Sequence, residues 1–351
     1  MCSPSPTASL PQRWPRAFMS DHDQSTGAGI GHDDGRVAVV VLGFNDRRWL
    51  DRCLTSVLAT TDGNFRVYYV DNASSDGSAE YVRATFPQVS VVVNASNLGF
   101  AGGNNAGLRV AFGDGAEFAV LLNTDTWVEP SWLTELRAVF AADAAIGVVT
   151  AFIKTYDGDR IDHSFLQILQ TSQAFIEDAW SDAVRPWYET WTGSGAALMA
   201  RRSFYESVGT IDPEFFMYYE EIDLLRRGRY HGHKVAFSTR GIIHHFNRLD
   251  TPGPGSRAPM LFERGFMIYT LKNQFDPLPK CVIKFLLEVV SRPVGAIFRR
   301  EWRRLIMLLR VGAEILVKSP AIIWRRQVEM HAVERLPEMK WLRGGERRHD
   351  R

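Results

Sequence analysis

The 351-residue sequence holds only three cysteines, Cys2, Cys53 and Cys281, too few and too scattered for a disulfide framework or a thiolate metal centre. A reducing, cytoplasmic setting fits that scarcity. No apolar run approaches the ~18 residues a membrane-spanning helix needs. Residues 1–36 lack the continuous apolar stretch of a secretory signal; rich in Pro, Ser, Asp and Gly, they read as a flexible N-terminal tail. Net charge is almost absent, since 41 Lys and Arg face 40 Asp and Glu, which argues against a dedicated nucleic-acid binder. Also missing are the glycine spacings of dinucleotide and P-loop phosphate sites. Gly99, Gly102, Gly103 and Gly107 match neither spacing, nor do they follow the first strand.

What remains is an ordinary globular composition, 45% apolar and 23% charged, in a chain long enough for one large α/β domain plus an appendage, or for two domains. Short apolar runs over residues 37–42, 65–70, 89–93 and 118–122 predict strands, the first of them buried and the last buried on both faces. Trp49, Leu50, Cys53, Leu54, Val57 and Leu58 recur at helical spacing and predict a helix over 47–59. The glycines at 99–107 open another helix, letting backbone approach a ligand or another element closely. This alternation predicts a doubly wound α/β sheet with its loops gathered on one edge. Beyond it, a helix is expected over 130–141, a strand over 146–152, a Gly-rich turn entering a strand over 192–200, and a helix over 201–208. Residues 153–190 show no clear periodicity and are expected to be irregular.

Chemistry-bearing side chains cluster where the apolar runs stop. The run from Phe118 ends in Asn123-Thr-Asp-Thr126, at the sheet edge where such folds place ligands. Asp125 is a hard anionic ligand suited to hold Mg²⁺ or Mn²⁺ against a diphosphate, or else a cap for the following helix. Asp71-Asn-Ala-Ser-Ser-Asp-Gly-Ser78 suits a turn and helix cap, and equally hydrogen bonding to a base and ribose. Glu220, Glu221 and Asp223 follow an aromatic run at a helix start. The macrodipole and Arg226 or Arg227 account for them structurally, while a carboxylate desolvated beside Phe216, Tyr218 and Tyr219 would serve as a general base. His245 ends another apolar strand, either as a structural residue or as a ligand. Residues 280–326 carry eleven Lys/Arg against three Asp/Glu, interleaved with apolar positions at helical intervals. Such helices lie on anionic membranes or form a cap whose solvated face is basic. From Pro337 a polar, frayed end is expected.

Taken together and in order, Val70-Asp-Asn-Ala-Ser-Ser-Asp-Gly-Ser78, Asn97-Leu-Gly-Phe-Ala-Gly-Gly-Asn-Asn-Ala-Gly107, Leu121-Leu-Asn-Thr-Asp-Thr126, Gly193-Ser-Gly-Ala196 and Phe215-Phe-Met-Tyr-Tyr-Glu-Glu-Ile-Asp-Leu224 resemble family 2 glycosyltransferases of the GT-A fold, especially a rhamnosyltransferase-like branch. The resemblance covers roughly residues 37–250. It implies a GT-A domain there, while charge and periodicity set off a helical, basic C-terminal extension over 251–336 and a polar tail over 337–351. It implies an inverting transfer of a sugar, such as L-rhamnose, from a nucleoside-diphosphate donor to a surface-polysaccharide or lipid-linked glycan acceptor. Asn45, Asp71, Asn72, Asn97, Gly99, Phe100, Asn104 and Asn123 are thereby expected at the donor, and Asp125 and His245 at a divalent cation. Glu221 is expected as the base, with Gly193, Ser194, Glu220, Asp223 and Arg227 binding acceptor or orienting that base. Two departures stand out: Asn123 replaces the first Asp of an Asp-x-Asp motif, and the base position carries Glu rather than Asp, leaving Glu220 as competitor. The basic amphipathic C-terminal helices suggest peripheral membrane contact, placing the protein at the inner face of the cytoplasmic membrane. A non-catalytic nucleotide-sugar binder or scaffold is the alternative that Asn123 and Glu221 leave open.

Overall fold

Residues 36–181, 183–246, 257–337 and 339–343 are described by the structure, a computed structural model. Nearly all of the expected N-terminal tail, the expected boundary at residue 250, and everything past 343 lie outside them. The leading apolar runs form β1 (Val37–Gly43), β2 (Phe65–Asp71), β3 (Ser90–Val93) and β4 (Phe118–Asn123), all parallel, in the order β3-β2-β1-β4. Strand alternation sends Val37, Val39 and Val41 into one core and Ala38 and Val40 into another. Helix α1 (Leu50–Leu58) covers the first face; α2 (Ser78–Thr85) links β2 to β3, and α3 (Gly99–Gly113) covers the second. On α3, a Cβ at Gly103 or Gly107 would strike Leu42, Val40 or Val70. Those glycines bring helix onto sheet, the element-to-element half of the sequence expectation.

The sheet continues through β5 (Thr126–Val128), β6 (Ile146–Thr155), β7 (Trp187–Thr190), β8 (Ala197–Arg201) and β9 (Lys234–His245). Here it becomes mixed: β8 runs antiparallel to β4 and β6, whereas β6 and β9 are parallel. The outer edge of β9 is shared, its first half pairing with β7 and its last three residues with β5, both antiparallel. Helix α4 (Trp132–Ala142) packs Trp132, Leu133, Leu136 and Phe140 beneath this half.

The structure corrects three expectations. Residues 153–190 are not irregular: they contain the end of β6, α5 (His163–Leu169), α6 (Gln173–Ser181) and β7. Each helix spans about two turns, so its inward residues, Phe165, Ile168 and Leu169 or Phe175, Ile176 and Ala179, repeat too few times for a period to emerge. Asp125 is not a helix cap, because the unforeseen β5 separates it from α4, whose side-chain cap is absent. Nor does the chain fray directly at Pro337. Leu336, Met339 and Leu342 are buried in the second core, the latter two on the short helix α12 (Met339–Arg343).

Helix α7 (Arg202–Val208) leads to a single 3-10 turn, Pro213–Phe215, and then to α8 (Glu220–Tyr230). The last layer is α9 (Ala258–Leu271), α10 (Leu278–Phe298) and α11 (Trp302–His331). Met267, Ile268 and Leu271 of α9 meet Phe285 of α10, Val311, Ile315 and Ile322 of α11, and Phe215 in a third core.

Candidate active site

A cleft of about 960 Å³ opens at the carboxyl ends of β1 and β4, where a sheet of this kind collects ligand-binding loops. Its first wall follows from strand register. Thr126 of β5 lies opposite His245 of β9, and the Phe246 amide donates to the Asp125 carbonyl at 2.9 Å. That pairing places Asp125, six per cent exposed, beside His245, whose Nε2 is 3.6 Å from Asp125 Oδ1. Alternation along β9 sends the neighbouring His244 the other way, stacked on Trp127 at 3.5 Å and 3.2 Å from Glu129. Behind His245, Asp162 Oδ2 lies 3.4 Å from Nδ1, at charge-pair rather than hydrogen-bond geometry. Asp162 also caps α5 through the amides of Ser164 and Phe165. Burial would raise its carboxyl, but His245 and then Ser164 hold it below the usual carboxylate range.

The opposite wall is the start of α8. Glu220 is buried, Glu221 half-buried, and one oxygen of each, Oε2, is enclosed without a partner while both residues line the cleft. The bridges expected from this helix start to Arg226 and Arg227 go to Asp223 alone, at 3.2 and 2.9 Å. Burial first, then the neighbouring Glu221 charge, push the Glu220 carboxyl well above the ordinary glutamate range. Burial also raises Glu221, partly opposed by its own amide and that of Ile222.

The segment leading into this helix is backbone-strained: Phe216, Tyr218 and Tyr219 have φ of 65°, 71° and 70°. Two glycines hold it. Gly99, itself at φ 71°, admits the Phe216 carbonyl, which accepts from the Ala101 amide at 3.2 Å. Gly265 of α9 admits the Tyr218 carbonyl from the other side, while Tyr219 packs on Phe262, Phe266 and Tyr269. Gly265→Ala is therefore expected to displace the 216–219 backbone, cost about 1–3 kcal/mol of stability and reduce kcat more than KM. Thermal melting and steady-state kinetics check it; wild-type values in both would show that the contact is slack.

The remaining expected residues divide in two. Gly99, Phe100, Asn123, Gly193 and Ser194 line the cleft, with the Asn123 side chain making no hydrogen bond to the described residues. Asn72 and Asn97 line it too, yet they also build the loop: Asn72 Nδ2 donates to Asn97 Oδ1 and the Gly99 carbonyl, both at 3.0 Å. Asn45, Asp71, Asn104, Asp223 and Arg227 are not among the lining residues. Asn45 accepts from the Ser75 amide at 2.8 Å, and buried Asp71 accepts from Ser74 at 3.1 Å, so both order the β2 loop. Asn104 donates to Phe100 within α3. Asp223 and Arg227 belong to a buried charge cluster behind α8: Lys272 Nζ lies 2.6 Å from Asp212, 3.1 Å from Asp223 and 2.8 Å from Glu329.

Sequence reasoning missed Asp46, Asp162 and Phe262. Asp46 lines the cleft and accepts from the Thr124 hydroxyl at 2.7 Å, tying the β1 loop to the segment bearing Asp125. The Asp162-His-Ser164 cap was legible only to a reader expecting a two-turn helix. Phe262 gave no signal, because α9 lies past residue 250 and yet walls the cleft.

Among the described residues, no three His, Cys, Asp or Glu side chains converge as a ready-made metal cage. The Asp125–His245 pair nonetheless fits a hard divalent cation that takes its other oxygens from a ligand or water.

Comparison with known proteins gives concordant results. The family model described as "Glycosyl transferase family 2" matches residues 38–221, just over half the chain. An N-acetylglucosaminyl-diphospho-decaprenol L-rhamnosyltransferase of Mycobacterium tuberculosis is 24% identical over 235 residues, which are 59% of this chain and 75% of that one. The mannosyltransferase PcManGT of Pyrobaculum calidifontis, solved with GDP-Man and Mn²⁺, superposes with a TM-score of 0.53 at 16% identity, covering 91% of this chain and 89% of that one. GalNAc-T7 with UDP, GalNAc and Mn²⁺ gives a TM-score of 0.53 at 16% identity; this match covers 70% of the present chain but only 52% of GalNAc-T7. At those identities the likeness carries the fold alone.

Proposed function

The chain belongs to glycosyl transferase family 2 and has the GT-A fold, and from this premise we propose that its cleft performs an inverting sugar transfer from a nucleoside diphosphate to an acceptor hydroxyl. One observation carries the proposal: the Asp125–His245 pair and the carboxyls of Glu220 and Glu221, each with one enclosed oxygen that has no partner, line the same cleft. Asp125 and His245 would hold Mg²⁺ or Mn²⁺, and a bound cation supplies charge neutralisation at the leaving diphosphate. Asn72, Asn97, Gly99 and Asn123 lie where a donor would rest, with Asn45 and Asp71 ordering the loops behind them.

Glu221 takes the proton of the acceptor hydroxyl. The acceptor oxygen bonds the anomeric carbon, the bond from that carbon to the diphosphate oxygen breaks, and its electron pair departs with the nucleoside diphosphate. Glu220, whose carboxyl is raised by burial and then by its neighbour's charge, is the one assigned to keep its own proton. Asp223 and Arg227 position α8 from behind rather than touching substrate. The mycobacterial relative supports rhamnose as the sugar and a lipid-diphosphate-linked glycan as the acceptor. Such an acceptor would bring the enzyme to the inner face of the cytoplasmic membrane.

Donor-dependent thermal stabilisation tests the reading. One of dTDP-, UDP- or GDP-sugars is expected to raise Tm, by about 2.7 kcal/mol of stabilisation at 100 times Kd, with a further rise in Mn²⁺. Asp125→Asn should lose the Mn²⁺ increment and keep most of the donor effect. A folded protein unmoved by every donor would overturn the proposal.

A further inference from the structure

The α10–α11 hairpin carries two apolar stripes on each helix, and only one of them is used. Inward, Cys281, Phe285 and Ala296 of α10 and Leu308, Val311, Ile315 and Ile322 of α11 are buried. Outward, Ile283, Leu286, Leu287, Val290, Val294, Ile297 and Phe298 recur at three- and four-residue steps along α10 and stay exposed. On α11, Trp302, Ile306 and Leu309 do the same and Leu316, Val317 and Trp324 continue that face at seven-residue intervals, with Phe298 83% and Trp302 60% exposed. At 1.5 Å per residue these stripes run ~22 and ~33 Å, far more apolar surface than scattered exposed residues explain.

Charge selects the occupant. The three acids of this stretch are consumed internally: Glu288 by Arg292, Glu301 by Arg304, and Glu314 by Arg264 and Lys318. Arg299, Arg300, Arg303 and Arg310 make no ion pair among the described residues. Three of them flank Phe298 and Trp302 at the hairpin turn. A second copy would set like charges against one another, whereas an anionic bilayer accepts apolar side chains below its phosphates and guanidinium groups among them. No helix among the described residues is long and apolar enough to cross a membrane.

We propose that the α10–α11 hairpin is a docking surface that lies flat on an anionic lipid bilayer, its outer stripe immersed and its turn arginines at the phosphates. The proposal deepens the functional reading and rests on it for one link: α9, packed on this hairpin, lends Ala258 and Phe262 to the cleft wall, so docking brings the cleft to the lipid surface where a lipid-linked acceptor resides.

Co-sedimentation of the full chain with phosphatidylcholine vesicles, with and without about a quarter phosphatidylglycerol, tests it. The wild type is expected to pellet at least about tenfold better with the anionic vesicles, an advantage that high salt removes. Phe298→Ser/Trp302→Ser and Arg299→Glu/Arg300→Glu/Arg303→Glu should each weaken that binding about tenfold or more with Tm unchanged. Equal pelleting of variants and wild type, or no pelleting of folded wild type, would overturn the proposal. So would light scattering that finds a dimer dissolved by Phe298→Ser/Trp302→Ser in a protein that ignores vesicles. Transfer to a water-soluble acceptor without vesicle binding sinks the docking surface alone. Vesicle binding by a chain that accepts no nucleotide sugar sinks the functional reading and leaves the surface standing.

Discussion

Glu221→Gln is expected to lower kcat by about 10²–10⁴-fold while leaving donor-induced stabilisation intact. The amide fills the same space at the start of α8 but has no lone pair basic enough to take the acceptor proton. Glu220→Gln is the control that separates the two carboxyls. Because burial and then the adjacent Glu221 charge raise the Glu220 carboxyl well above the ordinary glutamate range, the proton is left on Glu220 in the proposed mechanism, and a neutral amide there should hold activity within about tenfold of wild type. The pH profile supplies the second readout. Burial raises the Glu221 carboxyl, and the deprotonated form is the active one. The rate should therefore climb with pH, and its acid limb should lie above the ordinary glutamate value. If Glu220→Gln abolished transfer and Glu221→Gln did not, the roles would have to be exchanged.

Lys272→Met is expected to be the most destabilising single change away from the cleft, at about 3–5 kcal/mol. Lys272 is fully buried and contacts Asp212, Asp223 and Glu329 at once. Arg226, Arg227 and Arg325 share those carboxylates, so four cations face three anions where α8, α9 and α11 meet. Removing Lys272 takes away the one ammonium that contacts all three buried carboxylates and leaves their oxygens facing one another without it. Burial alone would raise Asp212 and Asp223, but Lys272, ahead of Arg325 at the first and Arg227 at the second, holds both below the usual carboxylate range. The resulting stabilisation is present at neutral pH and is lost as pH falls below the unfolded value near ~4 toward the depressed folded values. Denaturant melts should accordingly show the largest gap between Lys272→Met and wild type near neutrality, narrowing on acidification. A gap under about 1 kcal/mol at pH 7 would mean that water or a rearranged arginine replaces the lysine.

Since α8 begins with Glu220 and Glu221, this cluster also bears on catalysis. Asp223 and Arg227 sit one and two turns below the carboxyls and fix the helix that presents them. Their adjacency to Glu221 in sequence makes a substrate contact easy to imagine. Their burial, their pairing with each other, Lys272 and Glu329, and their absence from the cleft lining support the positioning role proposed for them.

What the sequence by itself determined was local and chemical. Unbroken apolar runs specified β1 and β4, because a strand covered on both faces has no polar side to show. Gly103 and Gly107 announced a helix whose backbone approaches a ligand or another element closely, and Asn123, Asp125, Glu220, Glu221 and His245 were legible as polar groups ending apolar elements. The shape of α5 and α6 was not legible, since two turns repeat an apolar position too few times to reveal a period. Tertiary structure alone decided which distant groups meet. The antiparallel register of a three-residue strand against β9 puts His245 beside Asp125, 120 positions earlier, and turns His244 away. Long-range packing likewise brings Asp162 behind that histidine, threads the 216–219 backbone between Gly99 and Gly265, and sets Lys272 among carboxylates from three other segments. A residue's type is fixed where it stands in the chain, but its partner is fixed by register and packing, and those depend on contacts that no local pattern records.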